Sequence, residues 1–428
     1  MNTIHLGDNA AVLPTLPARF ARLVYIDPPF GSQANYVHEA RLDGAADGRV
    51  SRAHAYSDRW RASDADDGMG DYLDMLAPRL EAAARLMAPT GTLWVHLDWR
   101  ANYLVRVVLD EILGRDRFIN EIIWRRAPNL GRQAASGQFG RTLDSLIVYG
   151  GATPKLVMPT RLERIEKSAI RWDDEKRPFT CAPRGDYTDA SIEKLDLEGR
   201  VHRTATGKVY IKYFLTKDDE GHWCRERRID TLWTDVAPLR HASALERTGF
   251  PTQKPLALLD RIVRCATPQR GLVVDLFAGS GTTGVAAHEC GRRFILGDAG
   301  SVAIANARAR LLAVGAGLSI ETVGDAGRVP EGAPVVAAVA RVGRRELEVK
   351  LGSPVEPFAW TVGTWKGRGT AFSAAWHSER RHGKKAIAAE RTARIDARVL
   401  DGPERLAVRV YGDDGSVATG DVSLRGAS

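Results

Sequence analysis

The sequence predicts an α/β fold with a mainly parallel sheet, and the order of its segments leads to this prediction. Short apolar runs typical of buried strands alternate with amphipathic helical segments in residues 1–150 and again in residues 251–315. Such alternation favours parallel strands, because each helix carries the chain back to the start of the next strand. Residues 151–250 lose this rhythm and predict an irregular, partly β insertion. The pattern changes after Gly315, and residues 335–428 are rich in Val and Arg with turn signals, which predicts a small separate C-terminal β domain over residues 316–428.

The first half alternates predicted strands and helices. They are, in order, the strand Leu23–Ile26, the helix Tyr72–Leu86, the strand Gly91–Leu97, the helix Tyr103–Leu113 and strands at residues 121–124 and 145–149. Residues 31–70 interrupt the pattern with many Gly, Ala, Asp and Ser residues. A stretch this long without predicted structure is typical of a functional loop, so we expect a mobile substrate loop here.

The second half recovers the rhythm after the insertion. Its elements are the helix Pro255–Cys265, the strand Leu272–Leu276, a Gly-rich turn that opens a helix, the strand Arg293–Leu296 and the helix Val302–Leu312. The Gly-rich turn therefore stands between a strand and a helix, which is where α/β folds bind phosphates and nucleotides.

The composition narrows the classes of protein. Among 428 residues, 44% are hydrophobic and 27% are charged, which is typical of a soluble globular protein and excludes disorder as the main state. No apolar run approaches the ~18–20 residues that cross a bilayer, and the N-terminal residues do not resemble a secretion signal. We therefore expect a cytoplasmic protein without a membrane partner. The four cysteines are scattered, which predicts reduced thiols and no zinc site. The net charge of +8 favours a polyanionic partner, nucleic acid first.

The Gly-rich turn predicts a cofactor site. Gly279, Gly281 and Gly284 satisfy G-x-G-x-x-G, and Asp298 ends the next predicted strand 19 positions after Gly279. Glycines let the backbone approach a ligand, the helix N-terminus offers free N–H groups, and the acid accepts hydrogen bonds from ribose hydroxyls. A nucleoside-bearing cofactor follows from this pattern, and both NAD and S-adenosylmethionine fit it. The alternative is a tight turn that binds no ligand.

A second motif, Asp27-Pro28-Pro29-Phe30, follows the first predicted strand. The prolines restrict the backbone and donate no N–H, which leaves the Asp27 carboxylate and the Pro28 carbonyl as two acceptors beside an aromatic ring. Two acceptors and a ring suit a planar base with an exocyclic NH₂ group. Pulling both hydrogens out of the plane frees the nitrogen lone pair to attack a methyl sulfonium. A rigid turn with a capping Asp is the alternative interpretation.

The motifs together resemble the β-class DNA amino-methyltransferases, in which the catalytic tetrapeptide precedes the cofactor loop. The stretches that carry the resemblance are, in order, Leu6–Asp8, Tyr25–Phe30, Tyr72–Leu80, Val95–Trp99, Asn120–Trp124, Glu246–Pro255 and the Gly-rich turn. They cover most of residues 1–150 and 233–312. The resemblance implies a Rossmann-like, S-adenosylmethionine-dependent methyltransferase fold and a site-specific DNA methyltransferase. It places the catalytic domain in residues 1–150 and 251–315 and target recognition in residues 151–250.

The resemblance also implies roles for individual residues. Asp27 and Pro28 would hold the target amine, Phe30 would stack on the base, and Pro29 is the remaining member of the catalytic tetrapeptide. Residues expected around S-adenosylmethionine are Asp8 at the adenine end, Asp298 at the ribose, Thr252 and Lys254 at the methionine end, and Asp275, Phe277, Ala278, Gly279, Ser280, Gly281 and Thr282 along the turn. A base inside a duplex cannot reach such a site, so the target base must flip out.

Two departures from the family pattern bear on specificity. Residues Gly297–Ser301 lack the Pro and aromatic residue that often follow the cofactor loop of the family, and Phe30 stands where adenine-specific members more often have Tyr. Asp27 rather than Ser favours adenine N6 as the target and leaves cytosine N4 as the alternative. RNA or a small molecule as substrate, a nicotinamide-dependent oxidoreductase and a DNA-binding module without catalysis are the other hypotheses.

The partners expected from the resemblance are double-stranded DNA, a cognate restriction endonuclease and a second copy of the chain, with the protein associated with the nucleoid. The basic run Arg380, Arg381, Lys384 and Lys385 is the first candidate for DNA backbone contact in the C-terminal domain. Weaker candidates are Arg125, Arg126, Arg225, Arg227 and Arg228. We expect His96 to be a hydrogen-bonded histidine rather than a base, and Trp94, Trp99 and Trp124 to lie in the core.

Overall fold

The computed structural model describes residues 2–41, 50–60, 68–128, 137–243, 246–323, 336–343, 346–353, 359–366, 371–379, 392–396, 405–411 and 417–421. The chain forms two compact units. One consists of Met1–Val157 with Thr231–Ser428, and the other is Met158–Asp230.

The first part of the larger unit alternates strands and helices as the sequence predicts. Its elements are β1 (Asn2–Leu6), α1 (Asn9–Val12), β2 (Ala21–Ile26), β3 (Ala34–Arg41), β4 (Val50–Asp58), α2 (Met69–Leu86), β5 (Met87–Leu97), α3 (Asn102–Leu113), β6 (Phe118–Arg125) and β7 (Leu143–Gly150). The expected loop at residues 31–70 is wrong in part, because β3 and β4 pair there as an antiparallel hairpin.

The smaller unit has two small antiparallel sheets and a helix. Its elements are β8 (Thr160–Arg164), β9 (Arg171–Trp172), β10 (Pro178–Pro183), α4 (Asp189–Leu197), β11 (Val201–Arg203), β12 (Val209–Phe214), β13 (Thr216–Lys217) and β14 (Trp223–Arg228). The sheets have the strand orders β11-β12-β10-β9 and β13-β14-β8. Ile192, Val201 and Ile211 form its small core.

The chain then returns to the larger unit. The elements are β15 (Leu232–Trp233), α5 (Leu256–Ala266), β16 (Leu272–Asp275), α6 (Thr282–Glu289), β17 (Arg293–Asp298), α7 (Ser301–Ala313) and β18 (Leu318–Thr322). The described C-terminal strands are β19 (Val336–Gly343), β20 (Glu346–Ser353), β21 (Ala359–Lys366), β22 (Ala371–Glu379), β23 (Thr392–Asp396), β24 (Arg405–Tyr411) and β25 (Val417–Asp421).

One central sheet organises the larger unit, with the order β15-β6-β7-β5-β2-β16-β17-β1-β18-β22-β21-β24-β25. The strands from β5 through β18 in this order are parallel, as the α/β pattern predicts. C-terminal strands extend this sheet antiparallel from β18, while β19, β20 and β23 form a sheet of their own. A second hydrophobic cluster, with Leu347, Val349, Trp360, Val362 and Val408 among its members, lies in the C-terminal strands.

The main core lies between the sheet and its helices. Helix α2 shows the reason in its sequence, since Tyr72, Leu76, Leu80 and Ala83 recur at helical spacing and are all fully buried. Each buried Leu contributes about 2 kcal/mol by leaving water. They pack against apolar side chains of β2 and β5, so the core fixes these strands and the loops at their carboxyl ends.

Candidate active site

The parallel register brings both predicted motifs to one edge of the sheet. Tyr25 of β2 lies beside Asp275 of β16, and Ile26 lies beside Val95 of β5. The tetrapeptide that follows β2 and the Gly-rich turn that follows β16 therefore begin side by side at the carboxyl ends of two neighbouring strands. In an open α/β sheet this carboxyl edge is where ligands bind.

The Gly-rich turn needs glycine at two positions. Gly279 has a φ of +49° and Gly281 a φ of +75°, conformations that residues with a Cβ rarely adopt. A Cβ on Gly281 would lie 2.5 Å from the Cβ of Ala307, so helix α7 packs directly against this glycine. Gly281 also stands at the N-terminus of α6. The bend agrees with the sharp turn expected from the glycines, and the close contact with α7 is a second reason for glycine at position 281.

Asp298 ends β17 and holds the Gly-rich turn. Its carboxylate accepts hydrogen bonds from the N–H of Gly279 at 2.9 Å and from the N–H of Gly300 at 2.8 Å. Burial raises the pKa of Asp298, and these two backbone N–H groups oppose the rise. The side chain thus lies where the sequence places it, with two backbone partners that the sequence did not reveal.

Asp275 is buried at the end of β16, where it shapes the start of the turn. It accepts a hydrogen bond from the N–H of Phe277 at 3.0 Å. Burial raises its pKa to about 7, although hydrogen bonds from Thr283 and Phe277 act in the opposite direction.

Asp8 caps α1 and pairs with a residue that sequence reasoning missed. Its carboxylate accepts hydrogen bonds from the N–H of Ala10 at 2.8 Å and from Arg79 Nη2 at 2.8 and 3.0 Å. Burial raises the pKa of Asp8, but the two partners outweigh burial and leave the pKa below its usual value. Arg79 lies in the stretch Tyr72–Leu80 that carries the resemblance, yet only the fold brings it to Asp8.

The catalytic candidate Asp27 carries an ion pair. Lys254 Nζ lies 2.7 Å from Asp27 Oδ1 and 2.5 Å from Asp27 Oδ2, and both side chains are less than a fifth exposed. The same ammonium lies 5.1 Å from the centre of the Phe30 ring. Sequence reasoning expected Lys254 at the methionine end of a cofactor, whereas here its ammonium binds the carboxylate of the tetrapeptide.

The segment before Lys254 is held by its own hydrogen bonds. Gln253 Nε2 donates to the carbonyl of Glu246 at 2.6 Å, and Gln253 Oε1 accepts from the N–H of Thr248 at 2.9 Å. Glu246 also accepts from the N–H of Leu256 at the start of α5, at 2.7 Å. These bonds fix the loop so that Lys254 reaches across to Asp27.

Asp58, at the end of β4, anchors the backbone after the tetrapeptide. Its carboxylate accepts hydrogen bonds from three consecutive backbone N–H groups, those of Phe30 (3.1 Å), Gly31 (3.0 Å) and Ser32 (2.7 Å). The indole N–H of Trp60 adds a fourth at 2.9 Å. Asp58 is only 1% exposed. Sequence reasoning missed this residue because it lies in the stretch that was expected to be a loop.

His96 lies beneath the ring of Phe30. The two rings are stacked with centroids 6.1 Å apart. Nδ1 of His96 is 2.8 Å from the Tyr25 hydroxyl, and Nε2 is 3.1 Å from Oδ2 of Asp144. His96 is fully buried, so the expectation of a hydrogen-bonded histidine is confirmed. Burial raises the pKa of Asp144, but its contacts with His96 reverse the effect and lower it below the usual value.

A cavity of about 400 Å³ lies beside both motifs, a volume that suits a nucleoside-sized ligand. The sequence-predicted residues that line it are Asp8, Asp27, Pro29, Thr252, Lys254, Asp275, Phe277, Ala278, Gly279, Ser280, Thr282 and Asp298. Pro28, Phe30 and Gly281 are not among the lining residues. Further lining residues that the sequence did not single out include Asn9, Tyr56, Trp60, Met75, Arg79 and Phe250.

The lining suits an adenosine-containing cofactor. Half-buried Asp298 offers carboxylate oxygens for ribose hydroxyls, and the apolar walls of Phe250 and Phe277 suit a flat ring. Across the part of the chain that the structure describes, no group of three or more His, Cys, Asp or Glu side chains could hold a metal ion. Among the same residues, no helix is long and apolar enough to cross a membrane.

The fold and this site define the class of protein as an α/β protein with a cavity lined by the Gly-rich turn and by the Asp27 carboxylate. The family model described as DNA methylase (N6_N4_Mtase) matches residues 21–307. The chain belongs to this family. S-adenosylmethionine is the cofactor of the family. It contains adenosine, so it is a group of the kind that the cavity lining suits.

Individual relatives are more distant. The chain is 25% identical over 324 residues to the Type II methyltransferase M.EcaI of Enterobacter cloacae, covering 69% of this chain and 66% of that protein. It is 24% identical to the Type III restriction-modification enzyme StyLTI Mod subunit of Salmonella typhimurium, covering 66% of this chain and 49% of that protein. The chain thus spans less than two thirds of the length of each of these curated relatives.

Solved structures of DNA methyltransferases are similar at low sequence identity. The M1.HpyAVI–SAM complex aligns with a TM-score of 0.40 and 17% identity, covering 73% of this chain and 99% of that chain. The cytosine-N4-specific PvuII DNA methyltransferase aligns with a TM-score of 0.42 and 15% identity, covering 72% of this chain and 86% of that chain.

The remaining candidates have mixed outcomes. Trp94 and Trp124 are buried as expected, whereas Trp99 is 44% exposed, so its assignment to the core is wrong. Three of the weaker arginine candidates have carboxylate partners, Arg126 with Asp144 and both Arg225 and Arg227 with Glu163. The basic run Arg380, Arg381, Lys384 and Lys385 lies outside the described residues.

Proposed function

We propose that the protein transfers a methyl group from S-adenosylmethionine to the exocyclic amine of a base in double-stranded DNA, with adenine N6 as the target. One observation supports this proposal most directly. The Asp27 carboxylate follows the carboxyl end of β2 and lines a cavity of about 400 Å³ that the Gly-rich turn also lines. An acceptor for an amine and a pocket for a nucleoside cofactor therefore share one space.

The tetrapeptide supplies the chemistry that an exocyclic amine requires. The lone pair of such an amine is delocalised into the base, which makes the nitrogen a poor nucleophile. The Asp27 carboxylate and the Pro28 carbonyl accept hydrogen bonds from the two N–H groups of the amine. These bonds turn the nitrogen towards a tetrahedral shape and direct its lone pair at the methyl group. Phe30 stacks on the base, and the His96 ring supports Phe30 from the other side. The excess proton leaves the nitrogen after transfer.

The cavity lining provides the cofactor contacts. Bound S-adenosylmethionine supplies an electrophilic methyl group on a sulfonium sulfur. We assign its ribose to Asp298, its adenine end to the region of Asp8, and its methionine end to Thr252 and to the turn residues Gly279 to Thr282. Tyr56 lines the same cavity as Thr252 and adds a phenol ring to its wall.

Lys254 has a role at Asp27 before the target base arrives. Its ammonium takes both carboxylate oxygens at 2.7 and 2.5 Å. An unpaired carboxylate in a mostly buried site is costly, and the ammonium offsets part of this cost. The target amine must share or displace this contact to reach Asp27. Cofactor binding, which offers the methionine carboxylate as a second partner, would favour the displacement.

Further proposals follow from the same function. The target base flips out of the duplex to reach Asp27, and residues 151–250, which include the smaller unit, choose the DNA sequence. The C-terminal residues 316–428 serve as an accessory DNA-binding domain, with Arg380, Arg381, Lys384 and Lys385 on the phosphate backbone. The names of the relatives also support a role in restriction-modification, with a cognate endonuclease as partner, and a homodimer as the working form.

The product identifies the reaction. The protein is incubated with labelled S-adenosylmethionine and unmethylated genomic DNA, and the digested nucleosides are analysed by mass spectrometry. N6-methyladenine is the expected product. N4-methylcytosine would keep the mechanism and overturn the choice of base. Label in RNA but none in DNA would refute DNA as the substrate.

A further inference from the structure

The carboxyl edge of the sheet continues past Asp27 on the side away from the Gly-rich turn, and this part of the edge forms a second face of the protein surface. In the strand order, β2 lies between β16 on one side and β5, β7 and β6 on the other. Leu97 at the end of β5 lies beside Ser145 of β7, and Arg125 at the end of β6 lies beside Leu143. The loops after β5 and before β7 therefore meet at the edge that carries Asp27.

These loops expose aromatic side chains, although such residues are usually buried. Phe139 is 98% exposed, Tyr103 is 61% exposed and Trp99 is 44% exposed. The three rings come from the loop before β7, the first turn of α3 and the loop after β5. All three side chains belong to segments at this one edge of the sheet, and exposed apolar surface concentrated in one region is typical of a binding site.

Arginines cover the exposed tryptophan. The guanidinium of Arg141 lies 3.9 Å from the centre of the Trp99 ring, and that of Arg100 lies 5.0 Å from it. Such contacts orient the planar guanidinium and leave its N–H edges available. A guanidinium held in this way is suited to a phosphate, which it binds with parallel hydrogen bonds.

The arginines of this face differ in whether a carboxylate pairs with them. Arg100 pairs with Asp98, and Arg126 pairs with Asp144 at 2.6 Å. The described contacts of the Arg141 side chain are with neutral groups, the Trp99 ring and the amide oxygen of Gln138 at 2.9 Å. Arg141 thus adds a positive charge that no described carboxylate pairs with.

We propose that Trp99, Arg100, Tyr103, Phe139 and Arg141 form a surface, the Trp99 surface, that binds the DNA duplex beside the flipped base. Arg141 contacts a backbone phosphate, and the exposed rings contact sugars and bases next to the gap in the stack. The target base then enters between the Trp99 surface and the cofactor cavity. This inference rests on the proposed function and names DNA contacts outside residues 151–250 and 316–428.

The test compares DNA affinity among variants of the full chain. Fluorescence anisotropy is measured with a labelled duplex that the wild-type protein methylates, over a range of salt concentrations. Arg141→Gln should weaken binding about tenfold and reduce the slope of log affinity against log salt by about 1. Trp99→Ala should weaken binding in the same direction, because Arg141 loses its support. The DNA concentration that gives half the maximal rate of methyl transfer should rise in both variants, in step with the loss of affinity.

The control is Arg115→Gln, a charge removal on the opposite edge of the sheet. Arg115 precedes β6 and its side chain is 88% exposed, so this variant should bind DNA as the wild type does. Thermal unfolding confirms that each variant folds. Wild-type affinity and salt slope in both Arg141→Gln and Trp99→Ala would overturn the inference. So would a change in oligomeric state without a change in DNA affinity. If the wild-type protein methylates no DNA, the proposed function itself is refuted, and this outcome is seen before any variant is compared.

Discussion

The anchoring of the tetrapeptide by Asp58 leads to a prediction that can be worked out from distances. Oδ2 of Asp58 accepts from the N–H groups of Phe30 and Ser32, and Oδ1 accepts from Gly31 and from the Trp60 indole. The substitution Asp58→Asn would keep one side-chain oxygen and put an NH₂ group in place of the other. Because NH₂ donates and does not accept, two of these four hydrogen bonds would be lost.

The size of the effect follows from the hydrogen bonds. A bond to a charged group contributes about 1.5 kcal/mol at the low end, so Asp58→Asn loosens the tetrapeptide by about 3 kcal/mol. If transfer requires the anchored loop, the maximal rate should fall by about a hundredfold. Asp58 itself is not among the residues that line the cofactor cavity, so the Kd for S-adenosylmethionine should change little.

The assay measures single-turnover methyl transfer at saturating DNA, with cofactor affinity by calorimetry and folding by thermal unfolding. Asp116→Asn is the matched control, since it makes the same chemical change at a carboxylate that is 82% exposed. A rate for Asp58→Asn within about threefold of the control would refute the role of Asp58. A loss of rate and cofactor affinity in equal measure would also refute it, because it would indicate general disorder.

Three further variants test the site. Gly279→Val should weaken S-adenosylmethionine binding at least about tenfold, because a Cβ there lies 3.3 Å from Phe250 and φ is +49°; unchanged calorimetric affinity would contradict the pocket. Lys254→Ala should lower the free energy of unfolding by about 3 kcal/mol, and less when Asp27→Asn is also present; additive losses in denaturant titrations would contradict the ion pair. The raised pKa of Asp275, about 7, means that the folded state holds a proton the unfolded state has lost, so this residue makes the protein less stable as pH rises from about 4 to about 7. Asp275→Asn should remove up to about 4 kcal/mol of that decline; an unchanged stability–pH curve would contradict it.

Local sequence patterns were enough to predict the two strands of the site and the two motifs that follow them. The run Leu23–Ile26 and the run Leu272–Leu276 are short and apolar, which predicts buried parallel strands, and the motifs follow them directly. Since the carboxyl ends of parallel strands share an edge, the tetrapeptide and the Gly-rich turn had to meet. Gly281 shows why the glycine pattern was informative, because a bend and a close helix contact both exclude a Cβ there.

The contacts that complete the site depend on the tertiary fold. Lys254 is 227 positions from Asp27 in the sequence, and no local pattern pairs them. Asp58 follows a stretch rich in Gly, Ala and Asp whose composition favours a loop, so the hairpin that carries it was missed. Trp99 was expected in the core because of its residue type. It is exposed because it lies just beyond β5, at the open edge of the sheet.

The role of Asp27 as the acceptor for the target amine is tested most directly by one comparison. Single-turnover methyl transfer from labelled S-adenosylmethionine to unmethylated genomic DNA is measured for the wild type and for Asp27→Ala, with cofactor affinity in parallel. The wild type should methylate DNA, and Asp27→Ala should be at least about a thousandfold slower while it binds the cofactor normally. Transfer by Asp27→Ala at the wild-type rate would contradict the mechanism, and a parallel loss of cofactor affinity would give Asp27 a structural role instead.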